Sequence, residues 1–319
     1  MSWPSTALWK YVRRIMMANF NIIKPSVTRI DEKDNLKRIE LAGRVCYKSE
    51  KKITEESARG FCTKILQRGH TSVLEHSNVI VKMPVNSAAF IFEAMSHYEY
   101  KTNKIAYLKC THRNGGMVII SGNVRAWREV LDAFKIFTFF EHPLLDTDGG
   151  QDLTCYLISE DELTDEERQI HSRITLRITC DRGVSHELVR HRVMSFSQES
   201  TRYLNYGKRG YTFIEPWWWE HQNGVIKHLM VSEMAHSIDV YQAMIDEGAT
   251  PQLARAVLPN QIKTEVVVTA TPLQWAEFLK LRLAEAAHPD MQRIAHLVRD
   301  ALGDDVTIEE EMCDARAVE

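Results

Sequence analysis

An α+β fold is predicted for this chain: a single domain with a twisted antiparallel or mixed sheet packed against helices. Stretches of helical spacing and stretches of two-residue alternation both recur, but in no regular order and with no internal repeat. The best strand signal, residues 170–179 (IHSRITLRIT), alternates Ile174, Leu176 and Ile178 with Arg173, Thr175 and Arg177. That is the mark of a half-buried strand, and it suits antiparallel pairing better than a doubly wound sheet. The length, 319 residues of which 44% are hydrophobic, supplies a substantial core.

Residues 1–18 carry Lys10, Arg13 and Arg14 among scattered aromatics and lack the continuous apolar run of a secretory signal. They are expected to be a flexible leader, with 19–319 as the domain. The first strand-like alternation, NFNIIKPSV, begins the domain. Residues 31–68 read as helical, through Leu36, Ile39, Leu41, Ala42 and Val45 and then Ala58, Phe61, Cys62, Ile65 and Leu66, and Gly69 stops them. SNVIVKM (77–83) and MVIISGN (117–123) read as strands, the second after the turn signal Asn114, Gly115, Gly116. Residues 141–168 are acidic and poor in apolar side chains, and their run SEDELTDEER reads as a solvated connection or insertion. Ser232 is expected to cap a helix through Asp246 that ends at Gly248, and Thr250 with Pro251 to open a short one that stops before Pro259. EVVVTAT (265–271) is a buried-looking strand. Thr271 and Pro272 then open a helix from Leu273 to about Ala287, and Pro289 opens the last helix, closed by Gly303.

Forty basic against forty-three acidic side chains leave a formal charge of −3, so general attraction to nucleic acid or an anionic membrane is not the design. No run approaches the ~20 apolar residues of a bilayer span. Cys46, Cys62, Cys110, Cys155, Cys180 and Cys313 lie far apart with no CxxC, which argues against a zinc site or disulfide framework and for a reducing cytoplasm. No GxGxxG follows a strand, and neither GxxxxGK[ST] nor GxSxG occurs, so Rossmann oxidoreductases, P-loop enzymes and α/β-hydrolases are disfavoured. His186, Glu187 and His191 nearly spell a zinc-protease motif. On a helix, though, that histidine spacing puts the two rings roughly 140° apart, and no metal is expected.

The segment Asp181 to Tyr206, DRGVSHELVRHRVMSFSQESTRYLNY, is different in kind. It concentrates Arg182, Arg190, Arg192 and Arg202 with His186 and His191 and a set of neutral donors, in a chain of net negative charge. Guanidinium forks match phosphate or a polarised carbonyl with paired hydrogen bonds. On composition alone a solvated basic helix face serves equally well, as does a phosphate platform of a nucleotide- or RNA-binding protein.

RHRVMSFSQES (Arg190 to Ser200) satisfies the RHR-x7-S pattern of the flavin-dependent thymidylate synthases, and its flanks DRGVSHELV and TRYLNY resemble that family too. The resemblance extends to AGRVCY (42–47), RGHTSVLEH (68–76), LARAVLP (253–259) and FLKLR (278–282), about two-thirds of the chain. Residues at about 85–165 match poorly, except VIISGNVRAW (118–127), and resemble an insertion carried by longer members.

The family resemblance implies a homotetramer with active sites shared between subunits, binding no nucleic acid. It implies reductive methylation of dUMP at C5 to thymidylate, with 5,10-methylenetetrahydrofolate as carbon donor and FAD, reduced by NADPH, as hydride donor. Stabilising charge that develops over the uracil N3, O2 and O4 is work for fixed cationic donors.

By resemblance, Arg282 is the ring-activating, catalytic residue and also a dUMP ligand. The sequence makes it odd independently, because Trp275, Phe278 and Leu279 put it on the apolar stripe of its helix. An intramolecular salt bridge, for example to Glu285, is its bland alternative. The resemblance assigns Ser72, Arg190, His191, Arg192, Gln198 and Thr271 to the flavin, and Glu187, Leu188, Val189 and Arg190 to the nucleotide pocket. Gln198, Glu199, Ser200, Thr201, Arg202 and Arg255 would hold dUMP. Ser200 reads as a phosphate-binding hydroxyl rather than a nucleophile, since no Ser-His-Asp order supports it. His70 and Glu75 match nearby site positions, a loop or core histidine being the plainer account of His70. Thr271, Leu273 and Glu277 stand where members commonly present flavin-contacting asparagine, arginine and another polar residue. Trp217, Trp218 and Trp219 read as packing residues, with stacking on a ring as the alternative.

Overall fold

The structure, a computed structural model, describes residues 20–89, 91, 107–133 and 155–306. The expected leader at 1–18 lies outside these. The chain starts with β1 (Phe20–Ile23) and β2 (Ser26–Ile30), followed by helices α1 (Asn35–Tyr47) and α2 (Ser57–Gln67). Asp34 caps α1 by accepting from Leu36 N and Lys37 N, and Gly69, at φ 69°, turns the chain away after α2. A short 3₁₀ segment, Thr71–His76, leads to β3 (Val79–Pro84), β4 (Leu108–Arg113), β5 (Met117–Gly122), α3 (Val124–Ala133) and β6 (Tyr156–Leu157). Then come α4 (Asp165–His171), β7 (Ile174–Asp181), α5 (Arg182–Leu188), β8 (Ser195–Gln198), α6 (Tyr206–Arg209) and β9 (Tyr211–Ile214). The chain continues with α7 (Gly224–Asp246), α8 (Pro251–Ala254), β10 (Lys263–Ala270), α9 (Pro272–Arg282) and α10 (Pro289–Leu302).

The α+β reading holds, but several sheets stand where one was expected. The central sheet is antiparallel, in the order β2-β7-β10-β8. Alternation along β10 sorts its side chains. Val266 and Val268 join Leu176 and Ile178 of β7 under Trp275, Phe278 and Leu279 of α9 and Ile294 and Val298 of α10, while Val267 faces Ala42 and Val45 of α1. Each fully buried residue of this kind contributes roughly 1.5–3 kcal/mol. A second antiparallel sheet, β4-β5-β3-β6, packs on Trp127 and the 3₁₀ segment, and β1 pairs in parallel with β9 beside α7.

Four sequence expectations need correction. The acidic stretch is not a bare connection, because its described part, from residue 155, supplies edge strand β6 and helix α4. Ser159 with Glu162 and Thr164 with Glu167 form two capping boxes, and Arg113 pairs with Glu167. The strand expected from residue 170 begins at Ile174, since Ile170 and His171 end α4. Helix α7 begins eight residues before Ser232, capped by Asn223 accepting from Val225 N and Ile226 N; Ser232 is inside it, its hydroxyl donating to His228 O at 2.7 Å. Helix α9 stops at Arg282 instead of running to Ala287.

Candidate active site

Helix α5 leaves β7 directly. Asp181, the last residue of β7, caps it by accepting from Val184 N at 2.8 Å. The helix is only seven residues long, so its C-terminal end delivers Glu187 and then the Arg190–Arg192 loop beside the end of α9.

There Arg282 is gripped on three sides. Its Nε donates to His191 Nε2, its Nη1 to Glu187 Oε2 and its Nη2 to the Glu187 carbonyl, each at 3.0 Å. The side chain is 12% exposed, as its place on an apolar stripe requires, and the partner that balances it is Glu187 rather than Glu285. An imidazole nitrogen that accepts from a guanidinium must be unprotonated. Burial, reinforced by the Arg282 and Arg190 charges, holds His191 down at about 4. The edge of that ring packs on Phe278, centroids 4.9 Å apart.

Across β10 from β7, strand β8 presents Gln198, whose Nε2 donates to Ser185 Oγ (2.8 Å) and Thr264 Oγ1 (3.2 Å). The next residue turns inward. Glu199 is buried and ion-paired with Lys263 (3.0 Å) and Lys48 (3.3 Å), and its backbone N–H donates to Glu265 O at 2.8 Å. Arg177 also pairs with Glu265. Burial alone would raise the Glu265 carboxyl, but Lys263 and Lys48 override it and hold it at about 2. This network anchors the segment that follows. Ser200 N donates to Cys46 O (3.1 Å), Arg255 Nη1 to the buried Thr201 Oγ1 (3.3 Å) and Arg202 Nε to Gln252 Oε1 (3.3 Å).

A cavity of about 460 Å³ lies between the 3₁₀ segment and β8, lined by Tyr47, His70, Ser72, Phe196, Gln198 and Tyr203, with Arg125 at its wall. Tyr47 Oη and His70 Nδ1 are 2.8 Å apart, and the Tyr47 and Tyr203 rings lie 5.8 Å apart. Glu75 does not line the cavity; it pairs with Arg125.

The structure thus draws most of the sequence-derived residues into two groups. Glu187, Arg190, His191 and Arg282 form one, and Thr201, Arg202 and Arg255 the other, with Ser72 and Gln198 at the cavity. No hydrogen bond or ion pair joins the two groups among the described residues. The Arg190 and Arg192 guanidiniums are exposed, and neither hydrogen-bonds to a described residue. Leu188 is fully buried, whereas Val189 is 40% exposed. Thr271 is buried and its hydroxyl accepts from Gln274 N as the cap of α9, while Leu273 and Glu277 are exposed. Trp217 is exposed, Trp218 and Trp219 lean on each other at 6.2 Å, and none of the three lines this cavity. Sequence reasoning gave no role to Tyr47, Tyr203 or Arg125, although AGRVCY, TRYLNY and VIISGNVRAW contained them.

A profile for the family described as thymidylate synthase complementing protein matches residues 29–104 and 166–305. The chain belongs to that family. The match skips 105–165, which contains β4, β5, α3 and β6. The chain is 32% identical over 154 residues to a flavin-dependent thymidylate synthase of Geobacter sulfurreducens, covering 46% of this chain and 63% of that protein. It is 32% identical over 133 residues to one from Pyrococcus furiosus, covering 39% and 52%. With one from Mycobacterium tuberculosis it shares 30% over 141 residues, covering 39% and 55%. The chain therefore spans between half and two-thirds of the length of these relatives.

A cavity walled by the rings of Tyr47, Phe196 and Tyr203 and by the hydroxyls of Ser72 and Ser197 suits a planar ring system.

Proposed function

We propose that the chain is a flavin-dependent thymidylate synthase, methylating dUMP to dTMP with 5,10-methylenetetrahydrofolate as carbon donor and NADPH as reductant. The observation that carries the reading is the three-sided grip on Arg282. A cation that the helix buries among apolar residues is held ready, by one carboxylate, one carbonyl and one neutral imidazole, at the end of the arginine segment.

In this reading Ser72, Arg190, His191, Arg192 and Gln198 hold FAD, which, once reduced, supplies the hydride that completes the methyl group. Ser200, Thr201, Arg202 and Arg255 bind the dUMP phosphate and base, with Val189, next to the buried Leu188, lining the nucleotide pocket. Arg282 turns its donors to the uracil as charge builds on N3, O2 and O4, a stabilisation of the kind worth roughly 3–4 kcal/mol per donor. Three of the five N–H donors of Arg282 are engaged, and the second N–H on each of Nη1 and Nη2 remains for the uracil while the Glu187 carboxylate and carbonyl hold the fork in place. Glu187 is thereby the residue that sets where Arg282 waits. Glu199 is turned into the ion network and supports the site through its backbone. Thr271 contributes by fixing the start of α9, where its buried hydroxyl accepts from Gln274 N and keeps its own O–H to donate.

Sites shared between subunits of a homotetramer would bring the two arginine groups together. Cytoplasmic residence, with neither membrane nor nucleic acid as partner, completes the reading; no described helix is long and apolar enough to cross a membrane. The domain is taken as residues 19–319, with 85–165 as an insertion. Purified protein is expected to carry an oxidised flavin spectrum that NADPH bleaches, and Arg190→Ala to retain less FAD. A colourless protein that takes up no added FAD would overturn the proposal.

A further inference from the structure

Away from the candidate active site, a cavity of about 360 Å³ opens between edge strand β2 and the turn Glu160–Glu162, lined among others by Arg38, Asn78, Glu160 and Arg173. Its polar groups do not balance. Arg38 is 7% exposed. The only hydrogen bond of its side chain to a described residue runs from Nη2 to Asn35 Oδ1 at 2.9 Å, and its buried Nε has no partner. The Arg173 guanidinium reaches only the backbone carbonyls of Ile170 and Ser172, at 3.5 and 3.4 Å. Neither is ion-paired with a described carboxylate.

The acids nearby are engaged elsewhere or exposed. Glu160 Oε1 accepts from Asn78 Nδ2 (2.8 Å) and Arg173 N (3.2 Å), Asp31 pairs with Arg29 (2.8 Å), Glu32 accepts from Asp34 N (2.8 Å), and Asp161 faces solvent. Burial, only partly offset by Glu160, brings the Arg173 guanidinium down to about 10, and the neighbouring Arg38 charge adds to the fall. Asn78 completes the imbalance. Its Nδ2 donates to Glu160 and to His171 O (2.9 Å), which fixes the amide, and its buried Oδ1 is left without a donor.

Two guanidiniums without an anion, beside an acceptor without a donor, define a complementary ligand. It carries oxygens for both forks and one hydrogen to give away. We propose that this cavity is a phosphate-binding site, taking inorganic phosphate or the phosphate of a small monoester, with Arg38 and Arg173 donating to two oxygens and a P–OH donating to Asn78 Oδ1. Sulfate has the same shape but is fully deprotonated near neutral pH. It leaves Asn78 unanswered and binds more weakly.

The test uses the full chain carrying Arg202→Ala, which removes the candidate nucleotide-phosphate contact, and titrates phosphate, sulfate and ribose 5-phosphate by calorimetry. Saturable phosphate binding is expected, weaker for sulfate and weakened about tenfold or more, equivalent to 1.4 kcal/mol, by Arg173→Gln. Tighter binding of ribose 5-phosphate than of phosphate assigns the ligand to an ester, and the reverse order to the free ion. Crystals soaked in arsenate, which keeps the hydrogen and scatters anomalously, are expected to place arsenic between Arg38 and Arg173, a readout independent of any variant's folding. Phosphate affinity unchanged in Arg173→Gln, or arsenic found only elsewhere, overturns the proposal.

Discussion

In the proposed reading Arg282 carries the chemistry at the scale of single residues, because two requirements meet in it. Its helix buries it, so it needs acceptors, and those it has, Glu187 and His191, fix the guanidinium while leaving two of its five N–H donors for the uracil. Arg282→Ala is expected to fold normally and keep its flavin while turnover falls by about 100-fold or more, as loss of a charge-stabilising donor does; near-normal turnover in steady-state assays would remove it from the mechanism. The histidines give a second expectation. His191 and His171 titrate at about 4 and His76 at about 3, all three chiefly because burial disfavours the charged ring. Their folded-state values lie below the unfolded value near 6.5, so the unfolded chain binds more protons between those limits, and stability falls as pH drops from about 6.5 towards 4. Urea midpoints measured across that window are expected to decline steadily, and a flat profile would contradict the buried neutral rings. The sequence exposed Arg282, since an arginine in an apolar stripe is visible in helical spacing. Its partner was not visible, because Glu187 lies 95 positions away and only the meeting of α5 with α9 brings the two together.

Secondary-structure elements supply the next layer, and capping decides much of it. Thr271, a flavin contact by family resemblance, also closes a capping box with Gln274 at the head of the helix that ends in Arg282. Thr271→Ala is expected to cost ~1 kcal/mol of stability. It should lower kcat by letting Arg282 drift, while flavin content, read from absorbance, stays constant; loss of flavin without loss of stability would favour the contact role. The acidic stretch teaches the same lesson in reverse. Judged by charge and hydropathy it is a solvated connection, yet Ser159 to Glu162 and Thr164 to Glu167 are spaced as capping boxes, and that spacing was the legible signal of structure. The start of α7 was hidden for another reason. Val225, Ile226 and Leu229 are exposed in its first turns, so no buried stripe announces the helix before residue 232.

For the whole molecule, the sequence made the α+β class and most elements legible because alternation along β7 and β10 and the Pro-led starts of α8, α9 and α10 are local facts. The division into several sheets was not, since pairing partners are non-local. The separation of the arginines into two groups within one chain gives the assembly-level expectation. Arg202→Ala and Arg282→Ala, each inactive alone, are expected to recover activity when unfolded and refolded together, because a mixed tetramer would contain some sites with both groups intact. Absence of recovery, with mixed oligomers verified by mass, would confine each site to one chain.

The most direct measurement supplies purified protein with FAD, NADPH, dUMP and methylenetetrahydrofolate carrying ¹³C in its methylene group, and identifies the pyrimidine by mass spectrometry. The expected product is thymidylate bearing the label, formed only when all components are present and together with tetrahydrofolate. Flavin-loaded protein that oxidises NADPH yet leaves dUMP unmethylated would contradict the reading.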